Sequence, residues 1–89
     1  MKITIIEEKV LKHLLLRHDE DGEETVRVCD VIGGSYHTHG LSLPVDDWPE
    51  LFRVLSGKKR LVHISGGKPS RGLDTRKIRI RAAGRAAVQ

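Results

Sequence analysis

The residues best suited to chemistry are cations, and they are unevenly placed. Residues 53–89 hold eleven lysines and arginines against Asp74 as the single acid, a net charge of +10. Residues 1–52 hold five basic residues against eleven acidic ones, a net of −6. A basic cluster of this kind suits a polyanion, because each ammonium or guanidinium that meets a phosphate releases a condensed counterion. The candidate contacts are Lys58, Lys59, Arg60, Lys68, Arg71, Lys77, Arg79 and Arg81. The competing reading is that these side chains only keep exposed strands solvated.

Other chemistries find less support. Cys29, His37, His39 and His63 are ligand types that zinc favours, but their spacing fits no compact metal motif, and no metal or other cofactor is expected. No Ser/His/Asp set and no glycine-rich phosphate loop is evident, and the acids cluster in a polar turn at Asp19–Glu24 rather than in a pocket pattern. The chain is therefore not expected to be an enzyme. A single cysteine permits no internal disulfide and fits a cytoplasmic location. No secretory signal is expected, since Glu7 and Glu8 interrupt the first apolar run, and no stretch approaches a membrane span. Eighty-nine residues suit one domain, residues 1–89, small enough that a homodimer is a reasonable expectation.

These side chains need elements to position them. Thr4 and Glu7 have capping-box spacing, and Ile6, Val10, Leu11, Leu14 and Leu15 form one helical stripe ending near His18. Residues 25–32 read either as an alternating strand or as a helix capped by Thr25. The helix is favoured, with Gly33-Gly34 as its stop and residues 33–43 as a connection. A short helix follows, with Asp46 or Asp47 as cap, Pro49 in its first turn, and Trp48, Leu51, Phe52 and Leu55 on its apolar face. Trp48 and Phe52 read as core anchors, whereas Tyr36 is the aromatic expected to be exposed. Residues 60–65 and 77–81 read as two strands joined by a basic loop, with Ile78 and Ile80 inward and Lys77, Arg79 and Arg81 outward. The tail after Ala82 can add half a turn of helix.

Three helices followed by a two-stranded hairpin, an α+β order, resemble the winged helix-turn-helix domain, with the wing at about residues 60–81. Residues 23–32 resemble its second helix, and Leu55–Val62 its third helix leading into the first wing strand, with Arg60 where a glycine is usual. Asp74-Thr75-Arg76, then Ile78, Ile80 and Gly84, loosely resemble the wing of MarR-type regulators. Arg81 stands where that pattern has Thr, the spacing is about two residues short, and the flanking dimerisation helices are absent. The resemblance implies a small transcriptional regulator on duplex DNA, with its third helix in the major groove and its wing on the backbone. Ser35, Tyr36, His37, Thr38, His39 and Arg53 are then further backbone contacts. Arg76 has two readings, as a phosphate contact or as the partner of Asp74. Against DNA stands the acidic start of the third helix, Asp46, Asp47 and Glu50.

Two alternatives stay open. A winged helix of this size can instead bind protein, as an inhibitor or adaptor of a phage or mobile element. Residues 40–48 also resemble the strand-into-helix step of coactivators that bind single-stranded DNA, which requires strands at 25–32 and 40–45.

Overall fold

Thr4 and Glu7 open the first helix, α1 (Ile5–Glu20), through a reciprocal capping box. The Glu7 N–H donates to the Thr4 hydroxyl at 3.1 Å, and the Thr4 N–H donates to the Glu7 carboxylate at 2.8 Å. The chain is seen in a computed structural model that describes residues 2–20, 22, 25–44, 46–66 and 76–88; for residues 37–39 only the backbone is described. Val10, Leu11 and Leu14 of the expected stripe are fully buried, and Ile6 and Leu15 pack at its margins.

Both readings of residues 25–32 hold in part. Val26–Arg27 form a short strand, β1, and a helix, α2, follows at once over Val28–His39. Arg27, not Thr25, occupies the N-cap position, and no side chain caps the helix there. Gly33-Gly34 does not stop α2, which continues for five more residues. The reason lies in packing: a Cβ on Gly34 would overlap the ring of His13, itself only 3% exposed on α1. Glycine at 34 is what lets the two helices approach. The true stop is Gly40, in the left-handed region at φ 64°. Its N–H donates to the Tyr36 carbonyl at 3.0 Å, and the Leu41 N–H donates to Ser35 at 3.1 Å.

Helix α3 spans Asp47–Arg53 and widens into a π-helical turn over Val54–Lys58. The Lys59 N–H reaches back five residues to Val54, and the Ser56 hydroxyl donates to Phe52 at 2.7 Å. Asp46 takes the N-cap position without a side-chain capping bond. Trp48 and Phe52 are buried and stacked, with ring centroids 5.6 Å apart.

Strands β2 (Val62–Ser65) and β3 (Lys77–Ile80) form the expected antiparallel pair, but the sheet has three strands, in the order β1–β3–β2. A fourth helix, α4 (Ala82–Val88), follows β3. The expectation of three helices and a two-stranded hairpin is corrected on both counts: the described residues form four α-helices and a three-stranded antiparallel sheet, an α+β fold. Alternation suggested a strand at residues 25–32 but could not limit it to the two residues of β1, and α4 is held by contacts invisible in sequence. Arg85 of α4 pairs with Asp19 of α1 at 3.0 Å, and Gly84 passes so close to the Leu61 carbonyl that a Cβ would collide with it. Residues 28–39 are helical, and residues 40–44 form no strand, so the strand pattern of the single-stranded-DNA coactivators is not the one observed.

One apolar cluster joins all of this. It runs from Val10, Leu11 and Leu14 through Val26, Val28 and Val31 to Trp48, Phe52 and Leu55, and is closed by Leu61, Val62, Ile78 and Ile80. No described helix is long and apolar enough to cross a membrane.

Candidate nucleic-acid interface

Alternation along β3 builds the site. Ile78 and Ile80 are buried beneath the sheet, while Lys77 and Arg79 are exposed above it. Arg81, one residue past the strand, is exposed as well, and its N–H is held by the Leu61 carbonyl at 2.9 Å. Side chains on one face of a strand recur every ~6.8 Å, so the three cations form a row. Register adds neighbours that sequence reading did not place on a nucleic-acid surface. Lys77 lies between Arg27 on β1 and Ser65 on β2, and Arg79 lies opposite His63. Arg27, Ser65 and His63 are all exposed. The only sequence signal for them was their place in alternating runs, and pairing between distant strands decides the rest.

Arg27 facing Lys77 would be a repulsive cross-strand pair. Asp30 offsets it: Arg27 Nε donates to the Asp30 carboxylate at 3.0 Å, and that hydrogen bond raises the guanidinium's affinity for its proton. The hairpin cations differ. Among the described residues, Lys58, Arg60, Lys77, Arg79 and Arg81 have no salt-bridge partner.

Arg60 stands at the root of the hairpin with φ 52°, the one non-glycine residue at positive φ among those described. Its backbone therefore adopts a conformation that glycine takes easily and a side-chain-bearing residue does not. Lys58 ends the π-helical turn and is exposed. Lys59 is different in kind. Its ammonium lies 2.7 Å from Glu7 and 3.2 Å from the Lys2 carbonyl, with the carboxylate only 3% exposed. Burial opposes ionisation of Glu7, but hydrogen bonds from Lys59 and from Thr4 outweigh it and hold the carboxyl below its ordinary value. Lys59 thus tethers the end of the π-helical turn to the start of α1.

Arg53 is also engaged. Its Nε and Nη2 fork onto both Glu50 oxygens at 2.9 and 2.7 Å on the solvent side of α3. That hydrogen bond lowers the Glu50 pKa and raises that of Arg53. Ser35 is fully buried in α2, away from any backbone contact, and Tyr36 is 56% exposed as expected. Lys68, Arg71, Asp74 and the side chains of His37, Thr38 and His39 lie outside the described residues. Arg76 is described, and its carbonyl accepts the Val28 N–H at 2.8 Å. Among the described residues, no group of three or more His, Cys, Asp or Glu could hold a metal ion. Compared with known proteins, the chain matches no family model, no curated protein and no solved structure, and its function must be read from its own residues.

Proposed function

We propose that this protein is a winged-helix DNA-binding module that meets duplex DNA through the outer face of its hairpin, with a role in transcriptional regulation. The observation that carries the reading is the unpaired cation row. Arg27, Arg53, Lys59 and Arg85 each have a carboxylate partner, whereas Lys77, Arg79 and Arg81 stand exposed along β3 and just past it with none among the described residues. The order α1, α2, α3, β2, β3 agrees with the winged-helix resemblance. A strand face studded with cations contacts phosphates, which supply affinity and register.

Fluorescence anisotropy of a labelled duplex over a salt series tests this. Log affinity should fall with log salt at a slope of about −0.9 per phosphate neutralised. Arg79→Ala should weaken binding and flatten that slope by about one unit. A wild-type protein that leaves the duplex unbound even at about 50 mM salt would remove the proposal.

One observation favours a protein partner instead. An apolar groove of about 440 Å³ lies between the start of α1 and α3, lined by Ile6, Leu43, Leu51 and Val54 with Asp47 and Glu50 among the residues around it.

A further inference from the structure

We infer that the protein holds duplex DNA by its phosphates without reading base sequence through α3. This rests on the DNA-binding reading above and narrows it to a class of substrate, duplex DNA of any sequence.

Helix α3 offers little to solvent that could read a base. Trp48, Phe52 and Leu55 turn into the core, and Leu51 and Val54 are half-buried. The exposed positions are Asp46, Asp47, Pro49, Glu50, Arg53, Gly57 and Lys58. Reading a base edge in the major groove calls for paired donors, as Arg gives guanine, or the amide of Asn or Gln on adenine. The exposed side of α3 has no Asn or Gln, and the fork of Arg53 is spent on Glu50. An exposed ion pair of this sort is held only weakly, so DNA could draw Arg53 away. Doing so would leave Glu50 bare beside Asp46 and Asp47, three carboxylates facing a groove walled by phosphates. Carboxylates can accept a hydrogen bond from cytosine, but three together repel the duplex before any such contact forms. Lys58, at the far end of the same turn, adds a single flexible charge without planar geometry.

The hairpin presents the opposite electrostatics. Its exposed row has cations at Lys77, Arg79 and Arg81, with the polar side chains of Ser65 and His63 beside them and no carboxylate among these positions. The lowest-energy approach therefore lays the sheet face on the backbone and turns the start of α3 away from it.

The test combines selection with three variants. Rounds of binding to a pool of duplexes with randomised sequence should enrich no motif, and unrelated duplexes should bind within about threefold of one another, far below the 10³-fold or greater preference of a sequence-specific binder. Asp47→Asn and Arg53→Ala should each change affinity by less than about twofold near 0.15 M salt, because charges beyond the ~8 Å screening length are largely hidden. Arg79→Ala should weaken every duplex alike. An enriched motif, or a base preference that changes with Asp47→Asn or Arg53→Ala, overturns the inference and leaves DNA binding standing. No binding to any duplex overturns both.

Discussion

Glu7 serves two functions at once, as helix cap and as counter-ion, and only the first was legible. Its capping partner Thr4 is three residues away, so spacing alone revealed it. Its ionic partner Lys59 is 52 residues away, and no local pattern can find that. Lys59 was accordingly expected on the nucleic-acid surface, as its neighbours Lys58 and Arg60 were. The pair has a pH signature whose sign follows from the direction of the shift. A carboxyl held below its ordinary value of 4.5 contributes stability that is complete above that value and is lost as pH falls through the folded-state pKa. Thermal melts should therefore drop below about pH 4.5, and Glu7→Gln should flatten that part of the profile. Lys59→Met should destabilise at pH 7 by less than the ~3–5 kcal/mol typical of breaking a fully buried pair, because the ammonium keeps some contact with water. The opposite sign applies at Arg60. Its left-handed backbone costs a side-chain-bearing residue about 1 kcal/mol, so Arg60→Gly should raise the melting temperature by ~4–8 °C. If Arg60 also touches phosphate, the same variant should bind DNA less well while folding better.

At the scale of elements, the long apolar patterns were readable and the close approaches were not. The stripe of α1 and the alternation of β3 each repeat several times within one segment, which is enough to fix type and inward face. The glycines after Ile32 gave the misleading signal. Adjacent glycines ordinarily mark a turn, yet here both sit inside α2, and packing accounts for the second of them alone. Gly34 meets His13 across the helix pair, and Gly33 meets nothing within 4 Å. Two alanine variants separate these roles in one equilibrium unfolding experiment. Gly33→Ala should stabilise by up to ~1 kcal/mol, the propensity gap between glycine and alanine in a helix interior. Gly34→Ala gains the same propensity but drives a methyl group into the His13 ring, which is only 3% exposed, and should lose ~1–3 kcal/mol net. Equal effects at the two positions would mean that α2 does not pack as described. Strand β1 was legible only as the less favoured of two readings for residues 25–32, for a related reason. It has two residues, and its far neighbour β3 makes it a strand. Beyond its reach the Ile80 N–H is met by His18 of α1 at 3.3 Å, a partner 62 residues away.

For the whole molecule, the contrast between an acidic first half and a basic second half becomes a matter of faces. Among the described residues, Lys12, Arg27, Arg53, Lys59 and Arg85 pair with carboxylates within the fold, whereas Lys58, Arg60, Lys77, Arg79 and Arg81 of the hairpin and its root have no ion-pair partner. Net charge alone would attract DNA to any cationic surface, so a useful test must remove equal charge from two places. One variant replaces Lys77, Arg79 and Arg81 with alanine; the other replaces Lys2, Lys9 and Lys12. All six side chains are outside the buried core, and both variants lose three positive charges. Lys12 already pairs with Glu8 at 3.0 Å, so the second set has less to offer a phosphate. If the hairpin is the contact surface, the first variant should lose about 2.7 units of salt slope, at ~0.9 per phosphate, while the second keeps its slope and loses affinity only modestly through weaker long-range attraction. Equal losses would mean that the protein is drawn by its overall field and has no defined face for DNA. A larger loss from the α1 set would place the contact at the start of α1, beside the groove formed with α3.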